Sequence, residues 1–359
     1  MGQKQRKRNA FKIKNPGFFD TAAQRAALVK LGDPLVRLNA HIQWDVFRPT
    51  LADVYDREGK IDTGRKPIDA LLMFKILVLQ RLYNLSDDQT EYQIRDRTSF
   101  QRFLGLHVED GSPDAKTIWK FRERIKSANI ERDLFMQFES HLRAKGLSAK
   151  GGQIVDATIV EAPRQRNSRD ENAQIALDEV PPEWDGQANK IAQKDVDARW
   201  TKKRGQTHFG YKNHVNVDAE HKLIREYTVT DASVHDSQVF VDLVDLEAGN
   251  PVVYADSAYR SASCEEMLAD ANVESRIHER AYVNAPLSEW SKDANREKSR
   301  IRVRIEHVFG FVHTSMNGGG VVRTIGGRRA QVVIALSNLA YNLSRFVQIV
   351  APRRTRAAA

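Results

Sequence analysis

Apolar residues recur at spacings of three and four through much of the first 150 residues. Ala70, Leu71, Phe74, Leu77, Val78 and Leu82 mark one such stripe, the period of a helical face turned to a core. Pro67, after Gly64-Arg65-Lys66, sits where a helix starts. Ser86 with Gln89 three residues on has the form of a capping box and predicts a helix over Ser86 to Asp96. Phe100, Phe103, Leu104 and Leu106 supply a short apolar patch closed by Gly105 and Gly111. Asp114 then caps a third helix, with Ile118, Phe121, Arg122 and Ile125 at helical spacing.

At Lys150-Gly151-Gly152 the period changes. Gln153 to Val160 is β-branched and apolar, the composition of a buried strand. His208 to Val217 and Lys222 to Thr230 alternate across Asp218-Ala219-Glu220-His221 and read as a hairpin. A helix over Ser237 to Leu246, a strand at Pro251 to Ala255, a helix through Glu265, Glu266 and Leu268, a strand at Val273 to Ile277 and a long helix from about Arg296 to Val312 follow. The order predicts a mixed α/β sheet behind an all-α N-terminal part. Division falls at 1–145 and 146–350, with a basic tail at 351–359. The polar stretch at about 161–206 holds Pro163, Pro181 and Pro182 and no sustained period, so it reads as an insertion at the sheet's edge.

Charge changes the picture. Against 47 Asp and Glu stand 56 Lys and Arg, a net +9 with a pI near 9.5, which favours a polyanionic partner. The excess is clustered: Lys4, Arg6, Lys7, Arg8, Lys12 and Lys14 at the start, Arg296 to Arg304, and Arg353, Arg354 and Arg356 in the tail. The short N-terminal helices, interleaved with Lys116, Lys120, Arg122, Arg124 and Lys126, resemble a helix-turn-helix type of DNA-binding unit. With 41% hydrophobic and 29% charged residues the composition is that of a globular protein. The richest apolar segment, Ala70 to Leu82, carries Lys75, Gln80 and Arg81, which argues against a membrane span. The start lacks the apolar run of a secretory signal, and the single cysteine, Cys264, fits a reducing compartment. Cytoplasmic residence is the expectation. Gly318-Gly319-Gly320 and Gly326-Gly327 are not followed by the Lys-Ser/Thr of a nucleotide-binding loop, and no His pair has the spacing of a helical zinc site.

Three carboxylates stand out by placement. Asp156 lies mid-strand between Val155 and Ala157, where a buried charge needs a partner. Asp256 follows an apolar strand and precedes a helix, at the strand end where α/β proteins gather ligands; a plain helix N-cap is the simpler reading. Glu306 shares a narrow helical stripe with Arg302 and His313, where an i, i+4 surface pair is the ordinary alternative. Acids from a strand, a neighbouring strand end and a helix could hold two Mg²⁺ ions about 3.5 to 4 Å apart at a phosphodiester. Lys202, Lys203, Arg204 and Lys212, interleaved with Trp200, Phe209 and Tyr211, suit a DNA path as well as they suit a solvated loop. His214, His235 and Asp236 could approach the site, though a hairpin histidine and an Asp capping the following helix are the ordinary readings.

The segments QIVDATIV, VVYADSAYRS and RIRVRIEHVFGFVH, in this order, resemble the three acidic blocks of bacterial insertion-sequence transposases of the DDE type. Gly64 to Leu106, Ser112 to Ile125, Asp197 to His214 and Val229 to Ser237 are similar to further blocks of that family, so the resemblance covers most of the chain. It implies an RNase H-like catalytic domain and a helical N-terminal domain that binds DNA ends. It also implies that Asp156, Asp256 and Glu306 are a catalytic triad holding Mg²⁺, with Mn²⁺ as an alternative. The family's signature Y-x-x-R-x-x-x-E-x-x-x-x-x-x-K places its Arg on Arg302 and its Glu on Glu306, while Ser299 and His313 stand at its Tyr and Lys positions. Implied partners are double-stranded DNA, as transposon ends and target, and further copies of the chain on that DNA, with no membrane. The implied activity is cleavage at the ends and joining of 3′-hydroxyls to target DNA. A catalytically inactive DNA-binding regulator and a structure-selective nuclease of the same fold are the alternatives.

Overall fold

The computed structural model describes residues 26–27, 29–56, 67–107, 109–149, 151–203, 205–247, 252–281, 286–316 and 321–352. The basic residues named at positions 4–14 and 353–356, Gly64 to Lys66, Arg204 and Gly318 to Gly320 lie outside the described residues.

Before the sheet, among the described residues, come α1 (Pro34–His41), α2 (Arg48–Asp56), α3 (Ala70–Leu82), α4 (Asp87–Asp96), α5 (Thr98–Leu104), α6 (Ala115–Ala128) and α7 (Glu131–Ala144). Helix α4 starts on the expected capping box, with Gln89 N donating to Ser86 Oγ at 3.1 Å and Ser86 N to Gln89 Oε1 at 3.2 Å. Asp114 Oδ1 caps α6 by accepting from Thr117 N at 2.6 Å. Helix α3 departs from the one-face pattern, because Ile76 and Leu79, off the stripe, are as fully buried as Phe74 and Leu77. A helix apolar all round needs cover all round, and the second cover comes from the far end of the chain.

The sheet follows: β1 (Gln153–Glu161), α8 (Arg169–Ala176), α9 (Ala188–Ile191), β2 (Arg199–Lys203), β3 (Gln206–Asp218), β4 (Ile224–Asp231), α10 (Phe240–Leu243), β5 (Val252–Ala255), α11 (Ala262–Asp270), β6 (Glu274–Ile277), α12 (Glu289–Arg302), α13 (Arg304–Gly310) and α14 (Gly327–Val350). Strand order is β2-β3-β1-β5-β6, with β4 also paired to β3. β1 runs antiparallel to β3 and parallel to β5, and β6 is parallel to β5. The architecture is the mixed α/β sheet expected. At Gly210 (φ +152°) β3 passes so close to the end of β1 that a Cβ would lie 2.3 Å from the Val160 carbonyl oxygen, so only glycine fits.

Helix α14, which the sequence pattern did not reveal, packs on α3 and α7 and joins their core through Leu336, Leu339, Leu343 and Phe346. It also ties down the sheet. Asn338 and Asn213 exchange side-chain hydrogen bonds at 2.8 and 3.1 Å, and Asn342 bonds both backbone groups of Ile224 on β4, accepting from N at 2.9 Å and donating to O at 2.7 Å. The core of the helical part is therefore continuous with one face of the sheet.

The polar stretch 161–206 carries short elements of its own: a Ser168–Glu171 capping box starts α8, Trp184 is fully buried with its Nε1 donating to Glu171 at 2.6 Å, and β2 joins the sheet. Two local expectations are corrected. The helix expected over Ser237 to Leu246 is a 3₁₀ turn, Asp236–Val239, followed by the single turn of α10. The long helix near the end begins earlier, at Glu289, and breaks at Val303, so Arg302 and Glu306 belong to different helices.

Candidate active site

Register brings the first two acids together. Val155 on β1 is level with Ala255 on parallel β5, so the residues that follow lie side by side, Asp156 still within β1 and Asp256 just past the end of β5. Asp156 faces the same side of the sheet as its antiparallel neighbour Val215, the side covered by the helices. Its Oδ1 accepts from Ala157 N at 2.8 Å and its Oδ2 from Arg302 Nη2 at 2.9 Å. Burial pushes this carboxyl up from its ordinary range, and the Arg302 guanidinium pulls it back. Asp256 is the N-cap foreseen: its Oδ1 accepts from Ser257 N at 2.6 Å. Its other oxygen, Oδ2, lies 3.5 Å from the same Arg302 Nη2. Cap and site are thus one residue using two different oxygens.

Glu306 stands apart. It is exposed, and its side chain makes no hydrogen bond or ion pair among the described residues. Nor do three His, Cys, Asp or Glu side chains converge as a metal-ligand group among those residues. Its helix α13 is nonetheless held on β1, with Ile305 and Val308 buried. Just beyond, in the π-turn Phe311–Ser315, His313 Nε2 shares a 3.2 Å hydrogen bond with Thr158 Oγ1. Along one face of β1, Asp156 therefore meets Arg302 and Thr158 meets His313, with Glu306 between them in sequence. The two aspartates already share one cationic nitrogen, so their spacing suits a bound cation, and nothing ties the Glu306 carboxylate elsewhere.

Residues 148–343 match the family profile of the transposase DDE domain, and residues 24–124 match that of a second transposase domain. The chain belongs to the DDE transposase family. No solved structure matches it. The mixed sheet of this transposase is consistent with the RNase H-like fold, and among its described residues no helix is long and apolar enough to cross a membrane.

The other polar residues of the transposase divide by face. Lys212 is level with Ile159 and His214 with Ala157, on the side of the sheet opposite Asp156. Lys212 Nζ donates to Val234 O at 2.6 Å and to Asp236 at 2.9 Å, so its charge is neutralised inside the protein. His214 is fully buried, with Nε2 3.0 Å from Thr230 Oγ1. His235 caps the 3₁₀ turn through Ser237. Lys202 and Lys203 are exposed on β2, and Lys203 Nζ reaches Ala157 O at 3.4 Å. An open groove of about 360 Å³ runs here between Thr158, Glu161, Lys203, His208 and His313, with His208 Nδ1 2.7 Å from Glu161.

Sequence reasoning passed over Thr158 and Tyr259. Thr158 lies two residues beyond Asp156 on a strand, a spacing that puts both on one face. Tyr259 is fully buried three residues after Asp256, its hydroxyl without an acceptor among the described residues, and burial with Asp236, Asp156 and Asp256 nearby raises its pKa far above normal. An aromatic so close to a capping aspartate was legible as a packing residue only.

Proposed function

We propose that this transposase cleaves DNA at transposon ends and joins the freed 3′-hydroxyls to target DNA, with Asp156, Asp256 and Glu306 as the acidic triad. The observation that carries the reading is the convergence of Asp156, within β1, and Asp256, at the end of the adjacent β5, on one cation. Mg²⁺ or Mn²⁺ held there would activate a water or a 3′-hydroxyl and stabilise the leaving oxygen. The chain's own residues supply the rest. Asp156 is fixed by the Ala157 amide, while the Asp256 side chain is 46% exposed and open to an incoming phosphate. Glu306 presents its free carboxylate from the next helix, Arg302, Lys202 and Lys203 line the approach with positive charge, and His313 offers a ring nitrogen beside them. Double-stranded DNA would reach the centre from the helical part, residues 1–145 with α14, and further copies of the chain would pair the two ends.

Replacing Asp156, Asp256 or Glu306 singly by Ala is expected to abolish cleavage and joining while leaving DNA binding largely intact. The measurement is strand cleavage and strand transfer on the element's flanking DNA with Mg²⁺, beside a mobility shift. Full activity in one variant removes that residue from the triad. Cleavage without joined products favours the nuclease alternative.

A further inference from the structure

The cation between the two aspartates is the protein's own. Arg302 Nη2 lies 2.9 Å from Asp156 Oδ2 and 3.5 Å from Asp256 Oδ2, so one permanently charged nitrogen engages an outward oxygen of each carboxylate. Both remaining oxygens are engaged by backbone amides, Asp156 Oδ1 by Ala157 and Asp256 Oδ1 by Ser257. The two oxygens not bonded to a backbone amide are the two that face Arg302. Guanidinium and divalent cation therefore compete there, by occupancy and by like charge.

We infer that Arg302 is a resident counter-ion, which competes with the divalent cation for the Asp156–Asp256 cradle and gives it up when its guanidinium takes a DNA phosphate. The inference rests on the proposed reading of the two aspartates as metal ligands.

Two further observations point to an arginine poised to leave. Its Nε is buried without an acceptor among the described residues, so the aspartates do not satisfy the guanidinium. A phosphate offers the paired oxygens that the planar fork lacks here. Arg302 is also the last residue of α12, immediately before the break at Val303, itself 53% exposed. Its side chain is 21% exposed, and Lys203 reaches β1 at Ala157, one residue from Asp156, so a phosphate reaching Arg302 would meet a second cation nearby. Release of the arginine by DNA and entry of the metal are then linked: each ligand raises the affinity for the other by the same factor. Without DNA the arginine offsets part of the carboxylate charge and the centre holds metal more weakly.

The test is equilibrium binding of Mn²⁺, read by its electron paramagnetic resonance signal, to the full-length chain and to Arg302→Gln, with no DNA present. Arg302→Gln should bind Mn²⁺ on the order of tenfold tighter than the unaltered protein, within the usual range of such couplings. Arg302→Lys, which keeps a charge without the fork, should fall between them and guards against misfolding of the neutral variant. Adding Asp156→Asn to Arg302→Gln should remove the tight site. A mixed-sequence DNA duplex should raise Mn²⁺ affinity in the unaltered protein and leave that of Arg302→Gln unchanged. Equal Mn²⁺ affinity of the unaltered protein and Arg302→Gln overturns the competition while leaving the metal reading standing. An equal response of the two to DNA overturns the release, and failure of every protein to bind Mn²⁺ overturns the metal reading itself.

Discussion

His214 shows how a histidine beside an active site can be made unfit for proton transfer there. Burial lowers its pKa to about 4, against the opposing pull of Asp236. In the unfolded chain the ring titrates at about 6.5, so below that pH the unfolded state takes up a proton that the folded state refuses. Stability is complete above about 6.5 and is lost as pH falls through the interval down to about 4. The urea midpoint should accordingly drop between pH 7 and pH 5, and His214→Gln should flatten that dependence; an unchanged slope in the variant would assign the loss to other groups. At this scale Asp156 and Asp256 were legible as candidates, since a charge inside an apolar strand and an acid at a strand end are local anomalies. Their shared arginine was not legible. It depends on the parallel register of β1 and β5, which leaves no trace in spacing along the chain.

Among the elements, the capping box of α4, the Asp114 cap and the strands β1, β5 and β6 follow closely from local chemistry and pattern. Helix α14 does not. Most of its middle is buried on every side, from Val332 to Leu343, so it presents no stripe, and length alone had to distinguish it from a strand. The packing makes a definite demand. Leu343 is fully buried in the core shared with the N-terminal helices, and Leu343→Ala should cost about 2 to 5 kcal/mol in chemical denaturation. A fragment ending at residue 145 should lack a sharp thermal transition by circular dichroism, because α3 would expose the face α14 covers. A cooperative melt of that fragment would show the helical part to be self-sufficient. The break at Val303 was hidden for a different reason: Ile301, Ile305, Val308 and Val312 keep helical phase straight across it.

For the whole molecule, charge is the property that composition reports most directly. A net +9 beside a centre that gathers carboxylates means that attraction to DNA comes from the surrounding surface. Affinity for DNA should fall steeply with added salt, as condensed counterions are released on binding. Deleting residues 1–25, which carry Lys4, Arg6, Lys7, Arg8, Lys12 and Lys14, should make the slope of log affinity against log salt shallower, measured by fluorescence anisotropy at several ionic strengths. An unaltered slope would place the phosphate contacts elsewhere.

The clasp of α14 on both α3 and β4 also sets an order of events during synthesis. Residues 327–350 leave the ribosome after every strand of the sheet, yet the first helices made need them to close their core. Contacts so distant along the chain are slow to form, and the early helices must meanwhile keep apolar faces from other partners. A nascent chain therefore holds its N-terminal helices and the face of the sheet they share equally unfinished until α14 arrives, and the two mature in the same step.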